Sequence, residues 1–440
     1  MAHMNESRET LFRTGDILSF SQYPFDAKGE YIMNELRETL LRMLHERYPG
    51  DIPAFIQDHF NTEWEYIWNA WWGDLLLLYQ AVMKAAKAAG QPVWNQGFGS
   101  GSFLFYLLDK GLNPLEPHWE CKSCGHIETD KQAELCFDLP VKDCPKCGKR
   151  MNRDGIHGSP EEALRIPYIE FSVNEEFQDA VTEAVLGTLK GYKVYQRRGN
   201  HRPCSANYQA YYYTDEVKKK DRPLIHRDEL GFEYINIEDE KAFSSKLRSI
   251  TIKAMTGNPM TKHPLSMEKW IKSKPDIQAF LQRSIQDMKG RGSYCPNNPE
   301  EQMLEMIEEL QPNTWTALIE IVCYALGTYT QEGKIATTPE KIELIKGSDF
   351  RHILYAREPL QFYLRKQGIP AILDHQMVEQ LRKGREGWEM ELFGKETPLL
   401  EKDKLFNAVI YQWPRTHAIN WLWRYVGKNN SSFDKLRNLC

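Results

Sequence analysis

The chain has 440 residues, and its 56 Lys and Arg residues are nearly balanced by 61 Asp and Glu residues, giving a formal net charge of −5. With 41% hydrophobic and 27% charged residues, the composition is that of a globular protein and excludes disordered and collagen-like chains. At about 100–200 residues per domain, the length predicts two to four structural units. Because the net charge is negative, binding to nucleic acid would require a local basic surface.

The apolar segments predict neither a membrane span nor a secretion signal. The longest ones, Leu75–Tyr79 and Ile319–Leu326, are far shorter than the roughly 20 residues that cross a bilayer. The opening residues Met1–Met4 have none of the basic and apolar regions of a signal peptide. We therefore expect a cytoplasmic protein without a membrane partner. Its nine cysteines, in a reducing compartment, favour metal binding over disulfides.

Helical periodicity is present near the N-terminus and dominates the second half of the chain. Apolar residues recur at helical spacing over Glu30–Arg47 and Asp74–Ala89, and the aromatic run Tyr66–Trp72 between them is interpreted as a packed helix face. Further helices are predicted at Glu268–Met288, Pro299–Leu310, Thr314–Leu326, Pro359–Lys366, Asp374–Lys383 and Leu405–Val426.

Strand signals lie between these two helical regions, at Ile166–Phe171, Tyr192–Tyr195, Tyr208–Tyr213 and Ile250–Ile252. The sequence therefore predicts an α+β first half, a helical second half and a domain boundary near residue 260.

A glycine-rich turn at residues 97–102 precedes the apolar run Phe103–Leu108. Glycines let a backbone approach a ligand closely, and a following helix offers N–H groups to a phosphate. Gly99, Ser100 and Gly101 are therefore candidate nucleotide- or nucleic-acid-binding residues. A plain turn is the commoner meaning of such a sequence, and no Walker lysine follows it.

Two cysteine pairs have the spacing of a zinc ribbon. Cys121 and Cys124 form one CxxC unit, Cys144 and Cys147 form another 19 residues later, and a glycine follows each pair. Four thiolates complete a tetrahedral zinc site and leave no open coordination position, so we predict a structural zinc ion. The nearby His126 and Cys136 are expected not to be ligands.

Several motifs around and beyond these cysteines resemble PolC-type bacterial DNA polymerase III alpha subunits. They lie in collinear order at Phe12–Thr14, Tyr48–Pro53, Gly97–Cys121, Phe137–Pro140, Lys142–Gly148, Pro167–Phe171, Gln302–Leu304, Leu381–Gly384 and Pro414–Ala418. The resemblance implies a nucleotidyltransferase-type palm with a mixed sheet and a zinc ribbon insertion, followed by a helical fingers-like domain. It divides the chain into residues 5–120 (helices and start of palm), 121–150 (zinc ribbon), 151–262 (rest of palm) and 263–440 (fingers).

The resemblance also locates the positions where such polymerases carry three metal-binding aspartates. Here they fall on Tyr168, Glu170 and, on a later strand, Thr251. Because two-metal phosphoryl transfer needs several carboxylates, we expect no catalytic residues and no two-Mg²⁺ site in this chain. The family also has an arginine in its glycine loop, and this loop has none.

Basic residues remain where the family contacts nucleic acid or nucleotides. In a segment that also carries many tyrosines, Arg197, Arg198 and Arg202 fall on a loop that lies next to the family's active site. In the fingers, the corresponding residues are Arg382, Lys383, Arg415 and His417. A solvated loop and cations that stabilise helix ends are the alternative interpretations.

These observations lead to three hypotheses. The first is a truncated pseudoenzyme that binds DNA, a replication protein, or a defence, phage or mobile-element partner. The second is a divergent active polymerase or nucleotidyltransferase that uses Glu170 with relocated acids, such as those at 175–176 or 238–240. The third is a structural subunit whose fingers and tryptophan-rich surfaces bind other proteins.

Overall fold

The computed structural model describes most of the chain, with gaps. The described residues are 27–70, 72–91, 93–96, 98–109, 111–130, 132–165, 168–189, 193–201, 206–214, 225–227, 233–235, 248–255, 299–326, 342–343, 346, 356–382 and 415–419. They belong to two compact units, each built from two separate stretches: residues 1–111 with 163–263, and residues 112–162 with 264–440.

Among the described residues, the first unit contains five α-helices: α1 (Ala27–Arg47), α2 (Ala54–Ala70), α3 (Gly73–Ala89), α4 (Phe103–Asp109) and α5 (Gln178–Thr188). The predicted helices over 30–47 and 74–89 are confirmed as α1 and α3, and most of the aromatic run lies in α2. Helix α3 ends at Gly90, whose φ of 62° places it in the left-handed region that closes a helix C-terminus.

The first unit also contains a five-stranded mixed sheet. Its strands are β1 (Val93–Gln96), β5 (Tyr168–Asn174), β6 (Lys193–His201), β7 (Ala206–Thr214) and β10 (Arg248–Met255). Their spatial order is β1-β5-β10-β7-β6, with β5 and β10 parallel and every other pair antiparallel. A separate hairpin pairs β8 (Ile225–Arg227) with β9 (Glu233–Ile235).

Side-chain alternation gives the centre of the sheet one apolar face. Ile169 and Phe171 of β5 and Ile250 and Ile252 of β10 are all fully buried. The ring of Phe171 lies 5.5 Å from the ring of Tyr79 on α3, which in turn stacks on Phe105 at 4.4 Å. The apolar core therefore lies between this face and the helices, and the polar residues of both strands occupy the opposite face.

The second unit joins a small sheet to helices from the far end of the sequence. The sheet has the order β3-β2-β4, from β2 (His118–Glu120), β3 (Ile127–Thr129) and β4 (Asn152–Asp154). The helices are α6 (Pro299–Leu310), α7 (Trp315–Leu326), α8 (Arg357–Lys366) and α9 (Ala371–Arg382), and residues 415–419 are also helical.

The predicted α+β class is confirmed. The four strand predictions fall on longer strands, and the helix predictions at 299–310, 314–326, 359–366 and 374–383 match α6 to α9 closely. The predicted helix Glu268–Met288 lies outside the described residues, as does most of Leu405–Val426. The division into a palm of residues 5–120 and 151–262, a zinc ribbon of 121–150 and fingers of 263–440 stays a prediction.

Among the described residues, none of the helices has the combination of length and apolar character that a bilayer crossing requires.

Candidate functional site

The four predicted cysteines come together in the second unit. The Sγ atoms of Cys121, Cys124, Cys144 and Cys147 all lie within 4.8 Å of one another. The distance from Cys121 Sγ to Cys147 Sγ is 3.4 Å, and that from Cys124 Sγ to Cys144 Sγ is 3.6 Å. A tetrahedral ion with bonds of about 2.3 Å to sulfur would place the sulfurs about 3.8 Å apart, so these side chains could hold a metal ion.

Backbone hydrogen bonds give the two cysteine turns the same shape. The N–H of Gly125 donates to the carbonyl of Cys121 at 2.9 Å, and the N–H of Gly148 donates to that of Cys144 at 2.8 Å. The two glycines have φ values of 70° and 71°, a conformation that side-chain-bearing residues rarely adopt. The glycine after each CxxC unit is therefore required by the geometry of the turn.

The neighbouring thiol and imidazole do not belong to this group. The His126 Nε2 atom lies 2.9 Å from a carboxylate oxygen of Glu128. Cys136 is fully buried, and burial raises the pKa of its thiol. For Cys121, burial also raises the pKa, but hydrogen bonds from backbone N–H groups and neighbouring thiols lower it to about 6, whereas the pKa values of the Cys124 and Cys147 thiols are raised, so the geometry without a metal favours a single thiolate.

The positions that the resemblance predicts for the polymerase aspartates lie on two neighbouring strands of the sheet in the first unit. Glu170 of β5 is paired in register with Thr251 of β10, and Tyr168 is paired with Ser249. Because residues two apart in a strand share a face, Tyr168, Glu170 and Thr251 belong to one face of the sheet. The side chains of Glu170 and Thr251 are buried, with 3% and 6% exposure. These three positions supply one carboxylate.

The glycine turn forms a 3-10 helix over Phe98–Gly101, and its N–H-rich exit is already occupied by a carboxylate. Glu63 of α2 is fully buried and accepts hydrogen bonds from the N–H groups of Phe103 at 2.8 Å and Leu104 at 3.1 Å. It also accepts one from Ser102 Oγ at 2.9 Å. The N–H groups of Phe103 and Leu104 are therefore already paired with Glu63.

Packing also explains the glycine at position 99. A Cβ atom added there would lie 2.5 Å from the ring of Phe105. Ser100 and Gly101 are buried. A ligand role for these three residues stays a prediction, and it would need groups other than the N–H donors of α4.

The register separates two arginines that are adjacent in sequence. Arg197 of β6 aligns through Ala210 of β7 with Thr251, so it belongs to the Glu170 face. Arg198 aligns through Gln209 with Ile252 and belongs to the opposite face. A single ligand on one face of the sheet would therefore meet only one of them. Arg202 lies outside the described residues.

In the helical part of the second unit, Arg415 is buried rather than exposed. Its guanidinium lies 3.2 Å from a carboxylate oxygen of Glu134, and its backbone N–H donates to Glu358 at 2.8 Å. His417 is half-buried. A contact between Arg415 and nucleic acid would require the pair with Glu134 to open. Arg382 is the last residue of α9, and Lys383 lies outside the described residues.

Sequence reasoning missed the buried carboxylate Glu63, although one signal was present. Glu63 continues the apolar stripe of Ile56, Phe60 and Ile67 on α2, all of which are fully buried or nearly so. An acid on such a stripe indicates a buried partner.

Comparison with known proteins shows what the chain is similar to. No family model matches it. A PolC-type DNA polymerase III of Bacillus cereus is 22% identical over 480 aligned residues, which cover 92% of this chain and 32% of the relative. The PolC-type enzyme of Oceanobacillus iheyensis is 31% identical over 152 residues, covering 33% of this chain and 11% of the relative. That of Thermotoga maritima is 29% identical over 153 residues.

The resemblance to PolC-type DNA polymerase III is thus confirmed, at low identity and over nearly the whole chain, and the protein is DNA polymerase-like. The chain spans about a third or less of the length of these relatives.

Proposed function

We propose that this protein binds DNA through a polymerase-like palm and fingers without catalysing nucleotide addition. The observation that carries the proposal is the β5–β10 register, which pairs Glu170 with Thr251 and leaves one carboxylate at the three positions of the family's aspartates. The sheet, on this proposal, is a palm retained for docking.

The chemistry of two-metal catalysis supports this assignment. In-line phosphoryl transfer needs two metal ions about 3.5–4 Å apart, held by carboxylates that leave room for both oxygens. A phenol and a threonine hydroxyl do not replace two carboxylates for Mg²⁺, which prefers hard, charged oxygen ligands in octahedral geometry. These residues do not fit a magnesium pair, and we derive no reaction step through one.

Zinc is the metal that the second unit would hold, because its four thiolates match the tetrahedral preference of that ion. With all four positions filled by protein, the ion would clamp the two cysteine turns and take no part in chemistry. We propose that it forms a zinc ribbon in the second unit, whose residues 112–162 lie in sequence between the two stretches of the palm-like first unit.

DNA is the proposed ligand because the chain is similar to PolC-type DNA polymerases and has basic residues at several positions where the resemblance predicts contacts with nucleic acid. Arg197 on the Glu170 face of the first unit would contact phosphates, as would Arg382 at the end of α9 in the second unit and, beyond the described residues, Lys383. A replication protein, or a defence or mobile-element partner, is the corresponding proposal for a protein ligand.

Primer extension and a gel-shift on the same DNA test the proposal together. The purified chain is given a labelled primer–template, four deoxynucleotides and Mg²⁺ or Mn²⁺. Beside it run Glu170→Gln and a matched control, Glu183→Gln, which removes an exposed acid of α5 in the same unit. We expect a shift and no extension for all three proteins.

Extension that is lost in Glu170→Gln but kept in Glu183→Gln would overturn the proposal, because it would require a site rebuilt around Glu170. Within the described residues, the four cysteines are the one group of metal-competent side chains found, so such a site would draw on acids elsewhere, such as those at 238–240. Absence of both extension and shift would also overturn it and favour the structural-subunit hypothesis.

A further inference from the structure

Residues 134–162, here called the acidic arm, contact the helices of the second unit at four places. The first is a helix cap: Asp138 accepts hydrogen bonds from the N–H groups of Trp315 at 2.8 Å and Thr316 at 2.7 Å. The Thr316 hydroxyl adds a third at 2.6 Å. A carboxylate at this position satisfies donors that a helix start leaves open and interacts favourably with its dipole.

Three arginines of the helical segment make the other contacts, each with a different acid of the arm. Arg357 Nε lies 2.9 Å from Glu162, and Arg415 Nη1 lies 3.2 Å from Glu134. Arg365 pairs with Glu161. Arg357 and Arg415 have no exposed surface. Because a buried guanidinium that loses its carboxylate is strongly destabilising, these helices depend on the arm keeping its position.

The position of the arm depends in turn on the cysteine turns. Strand β4 lies within the arm and pairs with β2, which leads directly into Cys121. The N–H of Met151 donates to the carbonyl of Lys142 at 3.0 Å, and the Arg153 guanidinium donates to that of Leu139 at 2.6 Å.

This sheet is too small to be stable alone. Its three strands have three residues each. A sheet of this size needs packing or a metal to persist, and in small zinc modules the free energy of metal binding is the free energy of folding.

We infer that occupancy of the four-cysteine site controls the order of α7, α8 and α9. With metal bound, the arm holds the carboxylates of Glu134, Asp138, Glu161 and Glu162 against the helices, and the charges of the buried arginines are neutralised. When the metal leaves, the arm loses its fixed backbone, Arg357 and Arg415 lose their partners, and the helices open. The site is thus a metal-dependent switch for a segment that begins more than 150 residues further along the chain. This inference goes beyond the proposed function and does not depend on DNA binding.

Hydrogen–deuterium exchange on the full chain tests the switch without DNA. Exchange is measured by mass spectrometry for the zinc-loaded protein, after removal of zinc by a chelator, and after zinc is added back. Peptides from α7, α8 and α9 should lose protection at least about 100-fold on removal and regain it on addition, since unpaired buried charges drive the opening. Peptides from α3 and β5 of the first unit are internal controls and should not change.

Two variants separate the switch from general loss of stability. The double variant Asp138→Asn/Glu162→Gln should leave the cysteine turns protected by zinc while α7 and α8 exchange fast whether or not zinc is present. Glu128→Gln is the matched control, because this acid belongs to the small sheet but pairs with His126 and Lys142 rather than with the helices. It should preserve the zinc response.

Helices that stay protected after zinc has left would overturn the inference. A chain that binds no zinc in any preparation would overturn it as well, because the arm would then be ordered by packing alone. Neither result would decide the primer-extension and gel-shift experiment, so the switch and the proposed function can fail separately.

Discussion

The carboxylate of Glu63 is the acceptor for donors from two elements of the first unit. Besides Ser102, Phe103 and Leu104, the His59 imidazole lies 3.2 Å away, one helical turn earlier on α2. These contacts connect α2 to the start of α4 through side chains and backbone groups that are buried. The carboxylate of Glu63 thus occupies the position at the start of α4 where a phosphate would otherwise bind.

Replacing Glu63 by alanine should therefore cost stability on the order of 2–4 kcal/mol, because three buried donors would lose their acceptor. Chemical denaturation followed by far-ultraviolet circular dichroism measures the change. Glu65→Ala is the control, since Glu65 is exposed on the same helix. Equal effects of the two substitutions would contradict the role assigned to Glu63.

The sequence could not reveal this contact in full. Only the aromatic run Tyr66–Trp72 was interpreted as a helix face, the stripe that includes position 63 was not predicted, and the partner donors lie about 40 residues away. Nothing in a single sequence pairs an acid with N–H groups at that distance. Arg197 and Arg198 misled in the other direction: they are adjacent in sequence and were predicted to act together, but in a strand adjacent residues belong to opposite faces.

At the scale of elements, the cysteine turns are the feature most completely predicted, because a CxxCG unit specifies its own turn. The strands that flank them escaped prediction because three residues give no alternation to detect. Strand β1, with four residues, escaped for the same reason.

The metal content of variants tests whether the two cysteine turns hold a zinc ion. We expect about one zinc ion per chain in the native protein and none in Cys121→Ser, because three thiolates hold a structural ion far less well than four. Mass spectrometry under native conditions or elemental analysis gives the ratio. Ser123→Ala, in the same turn, should keep its zinc. If Cys121→Ser retains a full equivalent, the four-cysteine assignment is wrong.

Helices α8 and α9 carry two buried acids that make the second unit sensitive to pH. Burial raises the pKa of Glu358 to about 7, opposed by Arg415 and reinforced by Glu162. Burial likewise raises the pKa of Asp374 to about 7, opposed by Arg365 and reinforced by Glu161 and Glu162. Both pKa values lie above those of the unfolded chain, so the folded state binds more protons between about pH 4 and 7.

Stability should therefore fall as the pH rises through this window. Between pH 6 and 8 we expect a loss of roughly 1 kcal/mol per group in the free energy of unfolding, levelling off above about pH 8. Urea unfolding at a series of pH values measures it. Glu358→Gln with Asp374→Asn should flatten the profile, whereas Glu305→Gln, at an exposed position of α6, should not. A native profile already flat from pH 6 to 8 would contradict the raised pKa values.

At the scale of the whole molecule, composition indicated a globular α+β protein, and the order of motifs indicated its resemblance. Which stretches would pack together was not predictable. The pairs Glu162–Arg357 and Glu134–Arg415 join residues 195 and 281 positions apart, and local patterns carry no information on such pairing.

The net charge of −5 makes a specific prediction for DNA binding. Because the overall field repels phosphates, attraction must come from a few local cations, and the logarithm of affinity should fall linearly with the logarithm of salt concentration. Each phosphate contact contributes about 0.7 to the slope on single strands and about 0.9 on duplexes. Gel-shifts from low to moderate salt measure it, and Arg197→Ala should make the slope shallower by about one such step. Binding that does not depend on salt would point away from phosphate contacts.

Because each unit combines two separate stretches of the chain, the order of synthesis determines when interacting residues become available to each other. At about 5–20 residues per second, the 281 positions between Glu134 and Arg415 take roughly 15–60 s to synthesise. The first cysteine turn and β1 emerge before that interval, and the second cysteine turn and strands β5, β6, β7 and β10 emerge within it, all ahead of Arg357, the first of the three arginines. A ribosome that stalls before Arg357 would thus release a chain whose first unit has all its strands while the acidic arm holds unpaired carboxylates, a form that chaperones and proteases would recognise as unfinished.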